Sequence, residues 1–154
     1  MSIDVGSPAP DFTAPTDSGG ALALSSLKGR TVILYFYPKD DTSGCTSEAC
    51  AFQEALPDFS AADAVILGVS KDSPASHDKF KAKYSLAFTL VSDTDGKICE
   101  DYGVWVEKSM YGRKYFGIER ATFLIDAQGV VRKVWRKVKV TGHSKDVLAA
   151  VKTL

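Results

Sequence analysis

Residues 31–50 read TVILYFYPKDDTSGCTSEAC. The first seven of them, Thr31–Tyr37, are β-branched, aliphatic or aromatic without alternation. Such a run suits a strand covered on both faces. Pro38 stops the run, a polar turn follows, and a helix opens with Cys45 in its first turn. A second unalternating run, Ala64–Val69, lies beyond a helix-length segment from about Ser43 to Leu56. Strand, helix and strand over this length predict a βαβ unit with a right-handed crossover. Pro57 is expected to end or kink the helix, because it disfavours helical geometry at Leu56.

Towards the N-terminus, residues 1–20 are rich in Pro, Gly, Ser and Asp and predict an extended entry segment with a turn at Asp17–Gly20. Ala21–Leu24 reads as a short strand and Ser25–Lys28 as a helical turn ended by Gly29. Towards the C-terminus, Ser73–Tyr84 predicts a helix with Ser73 as N-cap and Pro74 at its first position. Phe88–Val91 follows as a strand, Asp93–Gly96 as a turn, and Lys97–Tyr102 as a helical turn stopped by Gly103. Ala121–Ile125 and Val130–Val138 form a hairpin pattern around Asp126–Gly129. Alternation in the second run puts Val130, Arg132, Val134, Arg136 and Val138 on one face, and Val131, Lys133, Trp135 and Lys137 on the other. Such mixed faces suit a strand near the sheet edge. Ser144–Leu154 closes the chain as an amphipathic helix with Val147, Leu148 and Val151 inward. A parallel half, an antiparallel half and helices on both faces amount to an α/β sandwich, with residues 1–154 as a single domain.

At 154 residues and 45% hydrophobic, the chain can bury a core without staples. Nineteen basic and nineteen acidic residues cancel, leaving no global field to recruit nucleic acid or an anionic membrane. The segment MSIDVGSPAPDF lacks the basic and apolar regions of a secretory signal, and no apolar run approaches membrane-spanning length. The cytoplasm is the expected compartment, where thiols stay reduced unless used transiently. Three cysteines are too few and odd in number for a disulfide scaffold. They also make a poor zinc site, since His77 and His143 have no ligand spacing to one another.

At a helix start the unpaired backbone N–H groups and the positive end of the dipole favour a thiolate, so Cys45 reads as a nucleophile. Thr42 or Ser43 is the expected N-cap. Asp40, Asp41 and Glu48 oppose the thiolate, and Lys39 alone supports it nearby, so a cation from elsewhere in the chain is wanted. The plainer alternative is that Cys45 is a small buried hydrophobe. On the helix Cys45, Ala49, Phe52 and Leu56 share the core-facing stripe, whereas Cys50 falls with Thr46, Gln53 and Pro57 on a less apolar flank. Five positions along a helix put the two Cα atoms roughly 8.7 Å apart. A disulfide needs them within about 7 Å. Cys45 and Cys50 therefore cannot bridge while the helix is intact. The spacing also argues against a thioredoxin-type C-x-x-C reductase.

Pro38-Lys-Asp-Asp-Thr42-Ser-Gly-Cys45 resembles the P-x-x-x-T-x-x-C signature of peroxiredoxins. YPKDDTSGCTSEACAF is similar to the bacterioferritin comigratory protein, or peroxiredoxin Q, subgroup, which has a second cysteine five residues on. Val5–Phe12 and Glu119–Asp126 also resemble the family, so the likeness spans most of the chain. It implies a thioredoxin-like three-layer sandwich with an N-terminal extension and a central mixed sheet. It implies that Cys45 attacks a hydroperoxide and becomes a sulfenic acid, and that Cys50 resolves this to a Cys45–Cys50 disulfide reduced by thioredoxin or a similar dithiol. Thr42 would hydrogen-bond peroxide and thiolate, Pro38 would shield the sulfur and shape the turn, and Arg120 would be the missing cation. Glu48 would orient Arg120 rather than act as a base. No metal, haem, flavin or other cofactor is implied, and the chain would be a monomer.

Other residues carry weaker signals. Cys99 is either an alternative resolving thiol or a packed bystander, the latter favoured because free cysteines are so often merely packed. His77 shares a helix face with Lys81 and reads as solvated; His143 has no visible partner. Arg132, Lys133, Arg136, Lys137 and Lys139 read as edge decoration rather than a nucleic-acid patch. Trp105, Tyr111, Tyr115 and Phe116 flank an expected loop, as core packing, a collar for the site or a partner contact. The rival function is a non-enzymatic redox sensor or holdase using the same disulfide.

Overall fold

A computed structural model of the chain describes residues 3–154. Its centre is a five-stranded sheet of order β5-β4-β3-β8-β9. These strands are β3 (Thr31–Phe36), β4 (Ala64–Ser70), β5 (Thr89–Ser92), β8 (Ala121–Ile125) and β9 (Val131–Trp135). The pairs β3–β4 and β4–β5 are parallel, while β3–β8 and β8–β9 are antiparallel. The sheet is thus mixed, as expected. Every residue of β3 after Thr31 is buried, which accounts for its unalternating sequence. Val32, Leu34 and Phe36 face one core cluster; Ile33 and Tyr35 face another across the sheet.

Helices α1 (Ser43–Ala61), α2 (Pro74–Tyr84) and α4 (His143–Lys152) cover the Ile33–Tyr35 face. The opposite face is covered by the short helix α3 (Lys97–Asp101) and by the N-terminal segment carrying β1 (Thr13–Pro15) and β2 (Ala21–Ala23). The result is a thioredoxin-like three-layer arrangement with an N-terminal extension. No helix among the described residues is long and apolar enough to cross a membrane.

Four expectations change. Pro57 neither ends α1 nor stops its ladder, which runs on to Ala61. The bond lost at Pro57 is offset by Phe59, fully buried one half-turn later. The expected loop around Tyr111 is a hairpin of β6 (Trp105–Met110) and β7 (Arg113–Ile118), turned by Tyr111 and Gly112, both at positive φ. In β9, simple alternation fails. A register shift opposite Leu124 and Ile125 inserts one extra residue, so Val131 and Val134 both pack into the α3-side core while Trp135 faces α4. The strand is at the sheet edge, as read, but its faces switch partway.

His143 is the fourth. It is buried at the start of α4, with Nε2 2.8 Å from Thr122 Oγ1 and the rings of Phe52 and Trp135 set edge-on to it. Burial pushes its pKa down to about 4, Asp146 opposing and Arg120 assisting. A base depressed in the folded state stabilises fully above its unfolded value, near 6.5, and loses that contribution as pH falls towards 4. The wild-type chain is expected to lose up to roughly 3 kcal/mol more than His143→Gln between these limits. Urea midpoints across that pH range check this.

Candidate active site

β3 delivers the chain to Tyr37, and the turn Pro38–Thr42 redirects it into α1. Thr42 is the N-cap residue in extended conformation; its carbonyl accepts from Thr46 N–H at 2.8 Å. Its hydroxyl does not cap the helix but donates to the Lys39 carbonyl at 2.9 Å. That commits the hydroxyl proton and leaves its lone pairs free to accept. Pro38 lies exposed on the same turn.

Cys45, in the first turn of α1, is only 1% exposed. Arg120, between β7 and β8, crosses to it: Nη2 donates to Cys45 Sγ at 3.3 Å, and Nη1 donates to Glu48 Oε1 at 2.7 Å. A single guanidinium thus binds two positions three residues apart on one helix face. Gly44 makes room for it, since a methyl group there would stand 3.1 Å from Nη2. The Arg120 carbonyl is held in turn by Val138 N–H at 3.0 Å. The missing cation expected from the sequence is therefore in contact with the thiol.

Glu48 is 1% exposed, and burial pushes its carboxyl up to about 7 against the pull of Arg120. Its second oxygen, Oε2, has no partner among the described residues, and neither has the buried Tyr35 hydroxyl. Arg120 itself is raised: burial works against its charge, but Glu48 and Cys45 outweigh it.

Of the three acidic residues expected to oppose the thiolate, Glu48 lies beside it on the same guanidinium, and Asp40 and Asp41 point elsewhere. Asp40 accepts from Tyr37 Oη at 2.6 Å and from Ser76 Oγ at 2.8 Å, and Asp41 pairs with Lys83 at 2.8 Å and Tyr84 Oη at 2.6 Å. His77 is not solvated but fully buried, 2.7 Å from Asp40.

Cys50, five residues along the same intact helix, is exposed and free. Cys99 belongs to the core cluster on the opposite side of the sheet from Cys45, fully buried. Burial first, then Asp93, pushes its thiol far above the usual range, which suits an inert packed residue. Two of the basic residues near β9 are paired locally, Arg132 with Asp126 and Arg136 with Glu119, both at 3.2 Å.

One residue that sequence reasoning missed is Lys108. Val106, Lys108, Glu119, Arg120, Lys137 and Val138 are among the residues that line an open groove of about 550 Å³. Lys108 Nζ donates to the Ile118 carbonyl, and burial followed by the charge of Arg120 lowers its pKa. Only the β6–β7 pairing brings it there, and the Tyr111-Gly112 turn carries no sequence signal for that hairpin. A second cavity, of about 150 Å³, sits at the opposite end of β3, between the N-terminal segment and the β8–β9 turn.

The AhpC/TSA family profile matches residues 5–134. Peroxiredoxin Bcp of Xanthomonas campestris is 51% identical over 147 residues, covering 94% of this chain and 92% of its own. Peroxiredoxin Bcp of Bacillus subtilis is 47% identical over 154 residues, covering 100% and 98%. Among solved structures, the Xanthomonas campestris bacterioferritin comigratory protein, studied for alkyl peroxide reduction through trapped intermediate/ligand complexes, superposes with a TM-score of 0.91. It is 46% identical and covers 97% of this chain and 98% of its own. With profile, relatives and fold in agreement over nearly the whole length, the chain belongs to the AhpC/TSA family as a peroxiredoxin of the Bcp (peroxiredoxin Q) type, a peroxidase that works through redox-active cysteines.

Proposed function

We propose that Cys45 is the peroxidatic nucleophile and Cys50 its resolving partner, acting on hydrogen peroxide and organic hydroperoxides. The observation that carries this is the contact of Arg120 with a buried sulfur at a helix N-terminus. The Cys45 thiolate attacks one peroxide oxygen; the O–O bond breaks, leaving Cys45 sulfenic acid and an alkoxide or hydroxide that takes a proton to become alcohol or water. Arg120 stabilises the thiolate and the charge developing on the departing oxygen. Thr42, its own proton held by Lys39, accepts the hydrogen bond of the incoming O–H. Pro38 fixes the turn and screens the sulfur, and Glu48 holds Arg120 in place rather than serving as a base.

The Cys50 thiol then displaces water from the sulfenic acid, forming the Cys45–Cys50 disulfide. Thioredoxin or a similar dithiol reduces it, supplying two electrons and two protons and leaving as its own disulfide. Because both cysteines sit in the intact α1, the start of the helix must unwind first. Apart from Cys45 and Glu48, which Arg120 holds, the residues there bury little. Ser43, Gly44, Thr46 and Ser47 are small and not buried, and Phe52 is the first large core side chain of the helix. No prosthetic group takes part. Residues 1–154 act as one domain and one monomer, since the disulfide closes within the chain, and the compartment is the cytoplasm, where a cysteine pair is returned to thiols between turnovers.

The test is peroxide consumption with a thioredoxin system. The wild-type chain is expected to turn over many equivalents and Cys45→Ser none above background. Turnover by Cys45→Ser contradicts the assignment of the nucleophile, and a wild-type chain that stops after one equivalent favours a sensor over an enzyme.

A further inference from the structure

We propose that His77 and Asp40 form a buried anchor that positions the Pro38–Thr42 turn for the peroxidatic step. The inference rests on the reading of Cys45 as nucleophile. Asp40 is the one buried residue of that turn. Its carboxylate takes Tyr37 Oη on Oδ1, and Ser76 Oγ and His77 Nδ1 on Oδ2, the last at 2.7 Å. Its backbone N–H donates to Asp72 Oδ2 at 2.8 Å.

The far side of the imidazole fixes the protonation. Nε2 lies 3.0 Å from the Val91 carbonyl, which can only accept, so Nε2 carries hydrogen. Nδ1 and the Asp40 oxygen are then two acceptors in contact unless a further proton lies between them. The geometry therefore puts one proton between Nδ1 and Asp40 Oδ2, with Tyr37 Oη 3.4 Å from Nδ1, in a place from which water is excluded. His77 is thereby tied to β5 on one side and to the catalytic turn on the other. The neighbouring Asp41, at φ +58°, adds a second, exposed tie to Lys83 and Tyr84 of the same helix α2. The acidic side chains of the turn are thus fastened to α2. This keeps Thr42 in place at the head of α1 while the helix unwinds behind Cys45 and refolds after reduction.

The two nitrogens of His77 can be separated by substitution. Asparagine places an N–H near Nδ1 and keeps the bond to Asp40; glutamine places one near Nε2 and keeps only the bond to Val91. The readout is the second-order rate of Cys45 oxidation by hydrogen peroxide, followed in a Cys50→Ser background so that only the first step is seen. His77→Gln is expected to slow it at least tenfold. His77→Asn is expected to recover most of the parent rate, and Asp40→Asn to slow it as much as His77→Gln. Equal rates for His77→Gln and the parent overturn the proposal. So does equal slowing of both His77 variants in step with lost thermal stability, the pattern of a merely structural histidine. If the His77 variants do not fold, Asp40→Asn decides alone: slowed oxidation supports the anchor, and a parent-like rate overturns it. A parent chain that peroxide does not oxidise at Cys45 overturns instead the reading on which the anchor rests.

Discussion

Cys50→Ser is expected to consume one equivalent of peroxide per chain at close to the wild-type rate and then to stop, even with a full thioredoxin system present. The groups that meet the peroxide in the first step are Cys45, Thr42 and Arg120, and Cys50 is not among them. The second needs a thiol that can be brought to the Cys45 sulfur, and the other free thiol is badly placed. Cys99 is buried on the far side of the sheet, with its thiol pushed far above the usual range. Steady-state turnover should therefore fall to background while a sulfenic acid accumulates, trappable with dimedone and read by mass spectrometry. Continued turnover by Cys50→Ser with thioredoxin means that the resolving thiol lies elsewhere.

The second large effect concerns Arg120. Its guanidinium is the charged donor that contacts Cys45 Sγ, and it faces a sulfur with almost no access to water. A preorganised donor of this kind contributes on the order of 10²–10³ in rate. Arg120→Met is expected to slow Cys45 oxidation by about that factor. Arg120→Lys should recover little, because one ammonium cannot serve both the Cys45 sulfur and the Glu48 carboxylate as the planar fork does. Losing the arginine also strands Glu48. A carboxyl already raised by burial then takes up a proton rather than staying charged, so stability should fall less than the roughly 3–5 kcal/mol typical of a broken buried ion pair. Stopped-flow oxidation and urea denaturation of the two variants separate these effects. A near-wild-type rate for Arg120→Met removes the arginine from the mechanism.

The parts of the fold that were legible in the sequence are those where one local signal sufficed. The runs Thr31–Tyr37 and Ala64–Val69 are buried on both faces and read as such. Ser73 caps α2 through Ser76 N–H, as its position before Pro74 implied. The stripe of Cys45, Ala49 and Phe52 faces the core, and Cys50 faces out. The contact between Arg120 and Cys45 was not derivable from spacing, because 75 residues separate them and only the β3–β8 pairing joins them. The resemblance to peroxiredoxins supplied what periodicity could not.

The misreadings have physical causes. Hairpins of this turn length are announced by Asn-Gly or Asp-Gly; here Tyr111 takes the first left-handed position, so the β6–β7 turn gave no such signal. That hid Lys108 as well. Pro57 was overruled by tertiary burial of Phe59. Lys81 on the same face argues for a solvated His77, although His77 also lies three and seven residues before Phe80 and Tyr84, on the stripe that α2 turns inward. Weighing that stripe against the single lysine could have placed it correctly. Asp40 was noted for its charge near Cys45, but a sequence does not show that its charge is turned away and spent on α2.

The central claim is that Cys45 and Cys50 join in one disulfide although the helix that carries both holds them apart. Non-reducing peptide mapping of the wild-type chain after one equivalent of hydrogen peroxide tests it directly. A single cross-linked species with Cys45 bonded to Cys50, and Cys99 recovered as a free thiol, is the result predicted here. A Cys45–Cys99 bridge, or a Cys45 bond between two chains, would contradict it.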